Sequence, residues 1–160
     1  MDVEIIQADY ADPKHRKDIP LVLSAYASDP MGGGVPLSDF TKTNLVDKLS
    51  ALGHAFTILA YVDGEPAGLV NCLEGFSSFA CHPLINIHDV VVLDNFRGHG
   101  LSQSMLQKVE AIAQERSCCK ITLEVLSNNT IAKKAYAKFG FAGYELDPSA
   151  GHALFWEKAL

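Results

Sequence analysis

The 160-residue sequence predicts an α/β fold, a mixed central sheet flanked by helices. Three observations predict it. Segments with a strand's alternation or a continuous apolar run interleave with segments of helical period. A hairpin signal, Asp63-Gly64, separates two of the strands. A strongly apolar stretch, Ile85 to Leu93, is followed by Leu101, Met105, Val109 and Ile112 at helical spacing. The length suits one domain over residues 1–160. An apolar share of 48% is enough to build a core at that length.

Taken in order, Val3 to Ile6 reads as an edge strand. Asp18 is then expected to cap a helix with Pro20 in its first turn, running as far as Ala27. Asp29 to Pro36, with three consecutive glycines, is a loop, and Ser38 caps a second helix with Val46 and Leu49 on its apolar face. Phe56, Ile58, Ala60 and Val62 alternate as in a half-buried strand, and Ala67 to Glu74 is the return strand. Lys120 to Val125 is a further strand, and Asn128 to Phe139 a helix with Gly140 just past its end. Phe141 to Glu145 and Ala153 to Glu157 complete the sheet, giving the order β-α-α-β-β-β-α-β-α-β-β.

A net charge of −6 argues against a nucleic-acid partner and favours cationic ones. No apolar run reaches the ~20 residues of a membrane span, and Met1-Asp2-Val3-Glu4 lacks a signal-peptide pattern. A cytoplasmic protein without a membrane partner is expected. Cys72, Cys81, Cys118 and Cys119 match no zinc spacing and read as reduced thiols, so no metal is expected.

The most informative stretch joins the apolar strand Val90-Val91-Val92 to Arg97-Gly98-His99-Gly100-Leu101-Ser102 and a long helix. Two close glycines let the backbone approach a bulky anion. The first turn of the helix offers unpaired N–H groups and the positive end of the dipole. This can be a pyrophosphate cradle or an ordinary structural turn. No Gly-Lys-Ser/Thr follows, so it is not a Walker loop. The third glycine of a dinucleotide fingerprint is missing as well.

Arg97-Gly98-His99-Gly100-Leu101-Ser102 resembles the Arg/Gln-x-x-Gly-x-Gly/Ala signature of the GNAT N-acetyltransferase superfamily, with a small serine in the last place. Asn129-Thr130-Ile131-Ala132-Lys133-Lys134-Ala135-Tyr136-Ala137-Lys138-Phe139-Gly140-Phe141 is similar to the family's Asn-x-x-Ala-x-x-x-Tyr-x-x-x-Gly-Phe segment. The element order agrees too, although the N-terminal third matches only in layout.

The resemblance implies a GNAT acyl-CoA N-acyltransferase fold that binds acetyl-CoA. It assigns the cofactor to Val90, Val91 and Val92 through their backbone, to the loop Arg97 to Ser102, and to Asn129, Ala132 and Tyr136. Asn129 can equally be a helix cap and Tyr136 a core aromatic. The family role for Tyr136 is general acid toward the departing thiolate. His88 corresponds to the place where polyamine and arylalkylamine acetyltransferases carry a base, and imidazole's reference pKa of about 6.5 suits that work. Asp89 and Glu74 stay open as alternative bases. Asp29, Phe76 and Phe79 occupy segments that shape the acceptor pocket in relatives, and Asp29 or Glu74 is a candidate anchor for a cationic substrate. The acceptor implied is the primary amine of a small molecule, such as a polyamine or amino acid, or of a peptide. A homodimer is compatible with the family. The alternatives are a non-catalytic acyl-CoA-binding module and a transferase for a longer acyl group.

Overall fold

In a computed structural model, which describes residues 1–144 and 146–160, one mixed sheet of five strands is formed among the described residues. Strands β1 (Val3–Gln7), β2 (Ala55–Val62), β3 (Glu65–Ser77) and β4 (His82–Val92) run antiparallel in that order. Strand β5 (Ile121–Leu123) is parallel to β4. Helices α1 (Pro13–Ser28) and α2 (Asp39–Leu52) cover one face. Helices α3 (Leu101–Glu115) and α4 (Thr130–Phe139) lie on the other.

The α3 stripe behaves as its spacing predicts. Leu101, Met105, Val109 and Ile112 are all buried, and each such side chain stabilises the fold by roughly 1.5–3 kcal/mol. The alternation read in β2 understates its burial. Thr57, Leu59 and Tyr61 are buried as fully as Phe56, Ile58 and Ala60, because helices pack on both faces. The Asp63-Gly64 hairpin forms as expected, with φ of 49° and 82°.

Two expectations are corrected. Helix α1 begins at Pro13 rather than near Asp18. The Asp12 carboxylate accepts from the N–H groups of Lys14 (2.8 Å) and His15 (3.1 Å), while Pro20 lies inside the helix. Asp12-Pro13 carries the same cap-and-proline signal nearly two turns earlier. Asp18 is buried and accepts from the Tyr61 hydroxyl (2.8 Å) and the Lys14 ammonium (2.9 Å).

The second correction concerns the C-terminal strands. Residues 141–144 and Ala153 to Glu157 form no strand, and Glu145 lies outside the described residues. Phe141 instead turns back under α4. Its N–H donates to Tyr136 O (3.0 Å), and its ring centroid lies 6.0 Å from those of Phe139 and Tyr136. A 3₁₀ turn at Pro148–Ala150 breaks the path to the second segment. β5, only three residues long, presents too short a ladder to recruit it. Leu154, Phe155 and Trp156, expected within the Ala153 to Glu157 strand, are left exposed. Among the described residues no helix is long and apolar enough to cross a membrane.

Candidate active site

The site begins where β4 loses a neighbour. β5 pairs with β4 only from Ile85 to Ile87, so the strand beyond has one free edge. Opposite β3, Asn71 pairs with Asp89 but Cys72 pairs with Ile87. His88 is therefore the extra residue of a β-bulge. The packing agrees: Ile87 and Val90, three apart, both contact the α3 side, whereas Val91 is buried against α1. Leu93 N–H donates to Ala67 O (2.8 Å). By alternation Val91 also bonds toward β3, and Val90 and Val92 turn their N–H and C=O toward the free edge. Arg97 Nε, donating to Val92 O at 3.3 Å, marks that direction.

The chain then makes a 3₁₀ turn at Asp94–Phe96 and enters the glycine loop. Gly98 and Gly100 have φ of 83° and 75°, in the left-handed region that side chains resist. No heavy atom lies within 4 Å of the Cβ that either could carry, so the space in front of the loop is open. The first bond of α3 runs from Ser104 N–H to Gly100 O (3.1 Å). Among the described residues, none of the six N–H groups from Gly98 to Gln103 meets an acceptor. Six consecutive free amides at the positive end of a 15-residue helix suit a diphosphate. The Arg97 guanidinium stands beside them, 2.8 Å from Asp94 and 4.0 Å from Asp29.

Helix α4 supplies the opposite wall. Asn129 Oδ1 caps it by accepting from Ala132 N–H (3.1 Å), and Gln103 Nε2 ties α3 to Ala135 O (2.9 Å). Asn129, Ala132 and Tyr136 recur at helical spacing and face one cavity of about 830 Å³. Burial pushes the Tyr136 phenol up to about 12, and the Tyr26 phenol adds to the effect. The third wall is the end of α1, where Tyr26 donates to Met31 O (3.4 Å). Burial raises the Tyr26 phenol as well, helped by the carboxylates of Asp89 and Asp29.

The structure therefore brings together on this cavity Val90, Val91, Val92, Arg97, Gly98, Gly100, Leu101, Ser102, Asn129, Ala132, Tyr136 and Asp29. His99 is outside the lining, although its N–H is one of the free amides. Asp29 is already engaged, accepting from Met31 N–H at 2.9 Å. Glu74, Phe76 and Phe79 are outside the cavity. Glu74 pairs with Arg116 (3.3 Å), whose guanidinium also covers the Phe56 ring. Phe76 is exposed, and Phe79 projects fully into solvent from the β3–β4 turn. His88 is exposed on the bulge and, like Asp89, is outside the cavity lining. Sequence reasoning missed Tyr26, which sits on the last turn of α1 as one aromatic among many. The nearest signal was its position three residues before Asp29.

An open strand edge, a glycine-rich loop with free amides and a phenol thus meet on one cavity, as the resemblance to the family implies. The comparisons with known proteins agree. Residues 25–141 match the Acetyltransferase (GNAT) family. An uncharacterized N-acetyltransferase of Archaeoglobus fulgidus is 35% identical over 81 residues. That alignment covers 50% of this chain and 55% of the relative, so the chain spans about half the length of the curated relative it matches. A crystal structure of a probable acetyltransferase superposes with a TM-score of 0.79 at 19% identity, covering 98% of this chain and 99% of that one. The aminoglycoside acetyltransferase AAC(6')-Iy, solved with a bisubstrate analog, gives 0.76 at 18% identity over the whole of both chains. The ribosomal-protein-alanine N-acetyltransferase of Brucella melitensis biovar Abortus 2308 gives 0.69 at 17% identity, covering 91% and 99%. At such identities the structural likenesses establish the fold. With the family match extending over most of the chain and both sequence motifs placed on one cavity, the chain belongs to the GNAT acetyltransferase family.

Proposed function

We propose that the chain transfers an acetyl group from acetyl-CoA to a primary amine of a small molecule or peptide, by direct attack in a ternary complex. The observation that carries this reading is the run of free amides from Gly98 to Gln103, opening on the cavity that also receives the edge of β4 and Tyr136. Acetyl-CoA supplies an acyl group activated as a thioester.

The chain's own residues do the rest. The loop amides and Arg97 hold the diphosphate. The outward groups of Val90 and Val92 align the amide-bearing arm, and Val90 N–H faces the thioester oxygen. One such donor is worth roughly 2.7–4 kcal/mol as charge develops on that oxygen. The amine nitrogen forms the new C–N bond while the C–S bond breaks. Tyr136, kept neutral by burial, gives its proton to the sulfur. The proton lost from the amine passes to His88, or to a water that His88 orders, at the exposed bulge. Glu74 has little claim to that role, since Arg116 holds its carboxylate.

The net charge of −6 supports a cationic acceptor. The acceptors for which two structural neighbours are named, an aminoglycoside and a ribosomal-protein alanine, are amines as well. The test is acetyl-CoA-dependent thiol release across polyamines, amino acids, aminoglycosides and peptides. Turnover that drops in Tyr136→Phe while coenzyme A still binds is the expected result. Absence of turnover across the panel refutes the reading, and a silent Tyr136→Phe leaves a coenzyme A-binding module in its place.

A further inference from the structure

A row of polar side chains crosses the sheet at the bulge. Thr57 of β2 is opposite Asn71 of β3, and Asn71 is opposite Asp89 of β4. Thr57 Oγ1 donates to Asn71 Oδ1 at 2.7 Å, and Asn71 Nδ2 donates to Asp89 Oδ2 at 3.0 Å. The Tyr10 hydroxyl, from the segment before α1, meets Thr57 Oγ1 at 2.9 Å.

The direction of the chain is forced. An ionised carboxylate only accepts, so Asn71 must offer Asp89 its NH₂ and turn its oxygen to Thr57. The one hydroxyl proton of Thr57 goes to that oxygen, so Thr57 accepts from Tyr10. Burial raises the Tyr10 phenol and keeps it a donor. Every bond therefore points toward Asp89.

Such a row is costly to bury without use. Thr57 is fully buried and Asn71 nearly so, on a sheet face otherwise packed with Leu59, Leu69 and Val91. Valine has the shape of threonine and would fit that face without polar demands. The row ends at a carboxylate unlike the others near the site. Asp29 caps a turn, Glu74 pairs with Arg116, and Asp94 pairs with Arg97. Asp89 is in no ion pair among the described residues. Its charge raises the phenol of Tyr26 at the end of α1 and the thiol of Cys72 on β3, and its neighbour in the chain is His88. It directly precedes Val90 of the cavity wall.

We infer that Tyr10, Thr57 and Asn71 are positioning residues that aim the Asp89 carboxylate at the ammonium of the acceptor, so that the acceptor class is a protonated alkyl amine. The inference rests on the acetyl-transfer reading above and sharpens its substrate class.

The test compares Thr57→Val, Thr57→Ser and Asp89→Asn in the full chain, with spermidine and kanamycin as cationic acceptors. Thermal unfolding and calorimetric binding of coenzyme A accompany the kinetics. Thr57→Val and Asp89→Asn should each lower kcat/KM for the better acceptor about tenfold or more, mainly through KM. Coenzyme A affinity should stay within twofold in both. Thr57→Ser, which keeps the hydroxyl but loses the packed methyl, should retain kcat/KM. The pair Thr57→Val/Asp89→Asn should be no worse than Asp89→Asn alone. Kinetics that follow the methyl rather than the hydroxyl overturn the inference. So does a loss of coenzyme A binding equal to the loss in kcat/KM, or turnover of neither cationic acceptor by a wild-type protein that binds coenzyme A. Failure of the wild type to bind coenzyme A is a different result, because it removes the acetyl-transfer reading itself.

Discussion

Replacing Gly100 by alanine separates the conformational cost of the cradle from its binding role. Gly100 has φ 75° and ψ 9°, and a Cβ there would meet no heavy atom within 4 Å. The whole cost to the free protein is thus the left-handed backbone, about 1–2 kcal/mol. For a chain of this size each kcal/mol lowers Tm by about 2–4 °C. If the loop relaxes toward negative φ to relieve that cost, the amides of His99 to Ser102 rotate off their common focus. Each hydrogen bond to a charged group is worth about 1.5–3 kcal/mol, so losing one weakens coenzyme A binding by roughly ten- to a hundredfold. Gly64 is the matched control. It has φ 82°, nothing within 4 Å of its Cβ, and a place in the β2–β3 hairpin outside the cavity. Urea unfolding should find Gly100→Ala and Gly64→Ala destabilised alike. Calorimetry should find coenzyme A affinity reduced only in Gly100→Ala. Equal affinities in the two variants would refute the proposed cradle.

Other perturbations have equally definite outcomes. Tyr136→Phe should lower kcat about a hundredfold, with coenzyme A affinity unchanged by calorimetry. The proposed acid works in its neutral form, which burial favours by raising the phenol to about 12. The ratio of wild-type to Tyr136→Phe rates should therefore stay flat from neutral pH up through the unperturbed phenol range near 10; a ratio that collapses by pH 9 contradicts a raised phenol. Asn129→Ala removes the cap of α4 and should cost about 1 kcal/mol in urea unfolding, with a parallel loss of coenzyme A affinity. Gly68→Ala places a Cβ 2.5 Å from Val91 O, so β3 and β4 must shift. It should destabilise by about 1–3 kcal/mol and weaken coenzyme A binding, both read in a calorimeter. Arg97→Gln, at an exposed and salt-screened position, should change stability by less than about 1 kcal/mol while reducing the salt dependence of coenzyme A binding.

Much of this architecture was legible because local patterns carry it. The α3 stripe, the Asp63-Gly64 turn, the Ser38 cap and the Gly140 stop each depend on a few neighbouring residues, and each forms as expected. The glycine loop was readable for the same reason, since a loop with its helix is a local unit, whereas the α4 positions came only from the resemblance to the family. Reading failed where partners distant in sequence decide. Asp18 looks like a helix cap until Tyr61 arrives from β2. Glu74 looks like a free carboxylate until Arg116 reaches it from the end of α3. Phe141 looks like the start of a strand until it packs beneath Tyr136 and Phe139. The β4 bulge was foreseeable only as an exception to alternation, because pairing register shows in no single strand. The Thr57–Asn71–Asp89 row could not be seen at all, as it joins three strands at right angles to the chain.

The most direct measurement is a titration of ¹⁵N-labelled protein with coenzyme A, following backbone amide resonances. The largest downfield proton shifts should fall on the amides of Gly98 through Gln103, with smaller ones at Val90 and Val92. Binding that leaves those six resonances in place, or shifts concentrated on the α1–α2 surface, would contradict the proposed cradle.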